Sequence, residues 1–390
     1  GIDINQVNIT SNGFLQDFIN ARNNCRIQGG GNLLNCTNAA NIGLPGQVDL
    51  PVFAKLPFGA FLDNSAVTGP IIAGNVADLA VTYLTSGLDQ VNGVGVNFRP
   101  NYNGGPVDLL INGGKFRYNS MQAEIRRRFT SGFSFQANYT FQKILSSIGS
   151  DAQARFDPLL DNANPGLEYS RPDYDRTHTV NINAIYELPF GRNKQFLNDN
   201  GFVDRVFGGW QFGTIMTISS GAPISIRDLG GTVNRGGRSA RQTATTNLTT
   251  KQIQDLIGIY KVGNITYFID PKVIAPDGTA TGGNVLGTPT TFAGQVFFKN
   301  QPGQTGNLPR HFINGPMYFN WDASMIKNVR LNETMRVQLR AEAFNVLNNT
   351  NFFIAENSNI FNINSTTFGQ IGQGNTFSPR IMQFAVRFEF

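Results

Sequence analysis

The last ten residues, Ile381 to Phe390, alternate strictly: Phe384, Val386, Phe388 and Phe390 share one parity, while Gln383, Arg387 and Glu389 share the other. Successive side chains of a strand point to opposite faces, so this segment has one apolar wall and one polar wall. Six earlier segments keep the same period over about the nine to eleven residues that a tilted membrane-spanning strand needs. A chain built this way is a sheet protein before it is anything else.

The first of the seven sets Met121, Ala123, Ile125 and Phe129 against Ser120, Gln122, Glu124, Arg126 and Arg128. Arg127 interrupts its apolar side near the strand's end, where a long cationic stem can run along lipid and place its head among phosphates. After the turn Thr130-Ser131-Gly132, residues Phe133, Phe135, Ala137, Tyr139 and Phe141 oppose Ser134, Gln136, Asn138, Thr140 and Gln142. The third segment sets Val180, Ile182, Ala184, Tyr186 and Leu188 against Thr179, Asn181, Asn183 and Glu187. It stops at Pro189, which has no amide proton for a ladder bond. The fourth presents Trp210, Phe212, Met216 and Ile218. In the fifth, Phe319, Trp321, Ala323 and Met325 face away from Asn320, Asp322 and Ser324. The turn Arg330-Leu331-Asn332-Glu333 leads to the sixth, where Met335, Val337, Leu339, Ala341 and Ala343 oppose Arg336, Gln338, Arg340 and Glu342.

Two architectures give this alternation. A soluble sandwich buries the apolar face against a second sheet, whereas a membrane barrel turns it to hydrocarbon. The connections separate the two, because they switch between tiny and very large: about three residues at 130–132, some ninety at 221–316, about four at 330–333 and thirty at 348–377. Barrels of the outer membrane have short turns on the periplasmic side and long loops outside. The intermediate link from Phe190 to Phe207, about eighteen residues carrying Arg192, Lys194 and Arg205, falls on the short side. This register expects the C-terminus in the periplasm, with the long loops and residue 1 outside. Composition agrees with an all-β transmembrane antiparallel barrel segment: 15% of residues are charged, 43 are Gly and 32 are Phe. No apolar run approaches the roughly 18 residues of a membrane helix. The mean hydropathy of −0.19 is uninformative, because lumen-facing polar residues dilute the lipid-facing ones.

Lipid-facing aromatic positions are then Phe133, Phe135, Tyr139, Phe141, Tyr186, Trp210, Phe212, Phe319, Trp321, Phe384, Phe388 and Phe390, and outer-membrane lipid is the first expected partner. Lumen-facing polar positions are Glu124, Arg126, Arg128, Glu187, Asp322, Arg336, Arg340 and Glu342, a mixture of signs expected to form ladders across the wall. Residues 1–114 form an expected extracellular loop region ahead of the strands at 115–390. There Cys25 and Cys36, isolated in a Gly/Asn-rich stretch, suggest a loop disulfide in an oxidising compartment. A short amphipathic turn is expected at Phe14, Leu15, Phe18 and Ile19. Thr249 opens a capping pattern that puts Ile253, Leu256, Ile257 and Tyr260 on one helical face.

Enzyme and nucleic-acid chemistry find little support. The net charge of +5 is scattered apart from Arg126, Arg127 and Arg128, where nucleic-acid binding calls for a clustered basic face. His178 and His311 have no metal-ligand spacing, and clusters such as Gly29-Gly30-Gly31 lack the lysine and strand-to-helix setting of phosphate loops. No cofactor is expected. Asp151, Asp157, Asp161, Asp173 and Asp175 gather around one loop and offer oxygen ligands of the kind that hold Ca²⁺, but solvated loop charge is the safer reading of them.

The segments YNSMQAEIRRRFTSGFSFQANYTFQK, RPDYDRTHTVNINAIYELPFGR, GGWQFGTIMTISSGAPISI, YFIDPKVI, FNWDASMIKNVRLNETMRVQLRAEAFNVLNNTNF and SPRIMQFAVRFEF, with GLPGQVDLP in the first loop, together resemble one family. In order and spacing the chain is similar to the C-terminal barrel portion of the Oar-like TonB-dependent outer-membrane receptors. The resemblance implies a 22-stranded barrel, of which these seven strands are about a third, and a plug and TonB box contributed from upstream sequence or a second chain. It implies import of an unidentified ligand captured on the outer loops, with the lumenal charges bedding the plug. A surface-exposed structural or adhesive protein that uses the barrel as an anchor is the alternative.

Overall fold

The structure is a computed structural model that describes every residue except 1, 92–93, 106, 110–111, 148–158, 162, 198–200, 234–241, 283–291, 333 and 356–358. Asp151, Asp157 and Glu333 therefore lie outside the described residues. In chain order, helices α1 (Phe14–Gln28), α2 (Ser65–Ala73) and α3 (Val76–Thr85) precede strands β1 (Phe116–Thr130), β2 (Phe133–Ser146) and β3 (His178–Glu187). Helix α4 (Phe202–Phe207) leads into β4 (Trp210–Ser219). A loop layer then contains α5 (Thr250–Gln254), β5 (Ile257–Val262) and β6 (Ile265–Ile269). The chain returns through β7 (Tyr318–Arg330) and β8 (Arg336–Phe344), adds β9 (Gln370–Ile371) to the loop layer, and ends with β10 (Ile381–Glu389).

Seven of these strands form one antiparallel sheet in the order β10-β8-β7-β4-β3-β2-β1, an up-and-down meander. Residues directly opposite each other share a face, so the register transfers sidedness across the sheet. One row runs Ile125, Ala137, Ile182, Met216, Trp321 and the next row's Ala323, Ala343, Met382, and every apolar-parity segment joins that same face. The first hairpin is tighter than the sequence suggests. Thr130 pairs with Phe133, leaving only Ser131 and Gly132 in the turn, both at positive φ as a type I′ turn requires. A bulge follows, because Arg127 opposes Phe135 and two residues, Arg128 and Phe129, span the gap to Thr130. Simple alternation thus fails at Phe129, and Thr130 takes the place beside Phe133.

The two ends of the sheet differ in kind. One end carries the Ser131-Gly132 turn, the 188–209 link, the 331–335 turn and the end of β10; the other carries 4–115, the 147–177 link, 220–317 and 345–380. Two hydrophobic cores fill the second end. The first packs Phe14, Phe18, Phe53, Tyr83 and Phe98 among the helices; the second packs Ile226, Ile253, Phe268, Ile269, Phe297 and Phe368. Neither core includes a residue of the seven wall strands.

The region before β1 is more ordered than a short amphipathic turn. Helix α1 runs for 15 residues, burying Phe14 and Phe18 one turn apart, and Asp17 in its first turn accepts the amides of Val52 and Phe53. Cys25 and Cys36 are joined by a disulfide that closes the end of α1 onto the next segment. Cys25→Ser with Cys36→Ser is expected to weaken this helical layer by about 2–3 kcal/mol, read as faster proteolysis of 1–115 with the sheet unaffected. In the other layer the Thr249 capping box forms with Gln252, but the helix it starts ends at Gln254. Ile257 and Tyr260 lie on strand β5, paired with Ile269 and Tyr267, instead of continuing a helical face. β-branched residues at Ile257, Ile259 and Val262 favour the strand once β6 is available to pair.

Candidate functional site

The polar wall places Glu187, Asp322, Arg336, Arg340 and Glu342 on one face, with Glu124 and Arg126 on the edge strand β1 and Arg128 entering the bulge. Its ion pairs run along strands. Arg340 reaches Glu342 at 3.6 Å and Arg387 reaches Glu389 at 3.3 Å, both two residues apart on one strand. The expected ladder across strands is not seen at Arg340, which stands opposite Ile326 and Ala385, or at Glu342, opposite Ser324 and Gln383. Glu187 pairs with Lys194 of the following link at 2.7 Å. Asp322 accepts the Asn345 amide at 2.8 Å and so fixes where the chain leaves β8. Ile185 and Ile215 also sit on this wall, so it is less uniformly polar than its parity suggests.

The apolar face carries Phe133, Phe135, Tyr139, Phe141, Tyr186, Trp210, Phe212, Phe319, Trp321, Phe384 and Phe388 in continuous register; Phe390 lies one residue beyond β10. Much of it is open: Ile125 is 65% exposed, Phe384 73% and Phe388 66%. Two polar tips on this face find partners within the sheet, as hydrocarbon would demand. The Trp321 indole donates to Thr214 Oγ1 at 2.6 Å, and the Tyr139 hydroxyl meets His178 Nδ1 at 2.9 Å. Arg127, at the short-turn end, lies 5.5 Å from the centre of the Phe133 ring.

Where the wall meets the loop layers, a cleft of about 660 Å³ opens between Tyr174, Tyr318, Phe353 and Phe377, with Asp173 and Arg176 at its side. Tyr318 is paired with Ser219 and shares the polar wall's parity, so the cleft stands above that wall. Three segments hold it. Asn351 imitates a strand residue, accepting the Phe319 amide and donating to its carbonyl, while Phe353 and Phe377 bond to 375 and 351 and lock two loop segments side by side. Phe377 stacks edge-on against Tyr318 at 5.2 Å and against Phe353 at 5.3 Å. Opposite them, Gly315 donates to the Ala222 carbonyl. Burial lowers the pKa of Arg176, whose guanidinium donates to the carbonyls of Asp173 and Asp175.

In the loop that supplies Tyr174, Arg171 binds Asp175 at 2.8 Å and offers its carbonyl to His311 Nδ1, and Glu168 pairs with Arg310. The acidic residues of this loop therefore diverge in role: Asp161 accepts the Ala163 amide, Asp173 lines the cleft, and Asp175 is buried against Arg171. Among the described residues no three His, Cys, Asp or Glu side chains converge to hold a metal ion. No described helix is long and apolar enough to cross a membrane. Parity reasoning cannot find the cleft, because Tyr174, Phe353 and Phe377 come from loops far apart in sequence.

Residues 64–383, which include α2, α3, six complete wall strands and the start of β10, match the family described as the outer membrane beta barrel domain. The chain belongs to this family. No curated protein matches the chain, and no solved structure does. Membership of the outer membrane beta barrel domain family explains an exposed greasy sheet face that a soluble sandwich would have buried. It also places the protein in the outer membrane.

Proposed function

We propose that this barrel chain is part of a TonB-dependent, Oar-like receptor that captures a ligand at its large-loop end and passes it inward past a plug. The cleft carries this reading: an aromatic-lined hollow stands where the polar wall meets the folded loops, the place where a ligand held by the loops would enter a lumen. On this reading the large-loop end is extracellular and the short-turn end, with Phe390, is periplasmic. The apolar row faces lipid. Glu124, Arg126, Arg128, Glu187, Asp322, Arg336, Arg340 and Glu342 face the lumen, where the plug would sit. The remaining strands, the plug and the TonB contact come from upstream sequence or a second chain.

The loop layers have hydrophobic cores of their own, which favours a second reading in which the barrel anchors an adhesive surface. Tyr318→Ala with Phe377→Ala in the full-length receptor separates the two. Both rings line the cleft and would offer a ligand their apolar faces, so their removal is expected to lower ligand affinity by about tenfold, or about 1.4 kcal/mol. Calorimetry against panels of iron chelates, glycans and peptides would measure it. No binding of any panel member and no energy-dependent uptake by the unaltered receptor, with loss of cell attachment in the double variant, would favour the adhesive reading.

A further inference from the structure

The link between β3 and β4 at the short-turn end is long for a periplasmic turn, and its side chains are disposed like those of a membrane-surface helix. Helix α4 leaves Phe202 78% exposed, Val206 40% and Phe207 51%, and the preceding stretch leaves Phe196 50% and Leu197 47% exposed. Such a patch on a small link needs a partner.

Its position says which one. Lys327 lies on the apolar face of β7, opposite Trp210, and its ammonium group donates to the carbonyls of Val206, at 3.2 Å, and Gly208. The Trp210 indole donates to the same Val206 carbonyl at 3.0 Å. Two apolar-face side chains therefore tie the end of α4 to the outer side of the sheet, away from the polar wall. Gly209, at φ +68, makes this approach possible, since a Cβ there would meet the Asn328 carbonyl oxygen at 2.5 Å. Gly191 and Gly208 are packed as closely against each other. β3 and β4 stand in the middle of the seven-stranded order, so strands added at either edge would not reach the link.

We propose that the described parts of this link, 188–197 and 201–209, form an interfacial foot whose partner is the phospholipid leaflet at the short-turn end. Phe202, Val206 and Phe207 enter the acyl boundary, continuous with the apolar face above them, while the exposed Arg192 and Arg205 meet lipid phosphates. Lys194 is turned the other way, to Glu187 on the polar wall. The foot rests on the reading that hydrocarbon covers the apolar face.

The test is a spin label at Phe202→Cys, and separately at Phe207→Cys, in the full-length receptor. The receptor is studied in outer-membrane fragments and in vesicles of phosphatidylethanolamine with phosphatidylglycerol. Collisions with oxygen and with a water-soluble nickel chelate report depth. Ile125→Cys serves as the wall control and Thr334→Cys, in the 331–335 turn, as the aqueous control. Both foot labels are expected to lose nickel collisions and keep oxygen collisions, as at Ile125. Nickel access equal to that at Thr334 would overturn the foot, and shielding from both probes would overturn it too by showing a protein cover. Nickel access at Ile125 would instead sink the lipid-facing wall on which the foot rests.

Discussion

Ile182→Arg is expected to destabilise the folded barrel by about 2–4 kcal/mol, while Asn181→Arg, one residue away, changes stability little. Ile182 sits midway along β3, between Ala137 and Met216, in a row that continues to Trp321. A guanidinium there stands near the middle of the membrane, too far from either surface for its stem to carry the charge out. Arg127 escapes this cost because it lies beside the hairpin turn and rests on Phe133. Asn181 faces Asn138 and Thr217 on the polar wall, where an added charge stays hydrated. Urea titration of the full-length barrel folded into phosphatidylcholine vesicles measures both variants. Equal costs at 181 and 182 would mean that the two faces do not meet different media.

This contrast also shows why the wall was legible in sequence and the loops were not. A strand with hydrocarbon on one side and a wet lumen on the other must alternate over its whole length. Parity alone therefore marks the seven strands to within a few residues at most ends, from His178–Glu187 to Ile381–Glu389. It fails locally where the backbone leaves ideal pairing, as at the bulge that displaces Phe129. Had the parity of β7 been followed two residues past Met325, it would have reached Lys327, a cation on the apolar face that signals something covering it. In the loop layers, position depends on contacts distant in sequence. Ile257 and Tyr260 fit a helical face and are drawn into a strand by β6, and Phe14–Gln28 extends far beyond its apolar start because the disulfide and Asp17 secure its polar length. The cleft has no linear signature at all, because its four rings converge only when β7 meets the 147–177 link and two stretches of the 345–380 connection.

Residues 1–390 refolded alone are expected to form no conducting pore. In the seven-stranded order, β1 and β10 each have a neighbour on one side only among the described residues. They span 15 and nine residues, and about every second residue of an edge strand directs its amide and carbonyl outward. In hydrocarbon each such group costs several kcal/mol, so the two edges together oppose insertion by tens of kcal/mol, more than any packing between loop layers can offset. A water-exposed sheet escapes that cost but then presents its phenylalanines to solvent, which leads to aggregation. Electrophoresis should accordingly show no heat-dependent shift for this chain in vesicles, and planar bilayers no conductance. Both signals should return when strands that pair with β1 and β10 are supplied. Stable channels from residues 1–390 alone would require the edges to find each other, by curling or between copies, and would remove the need for strands from elsewhere.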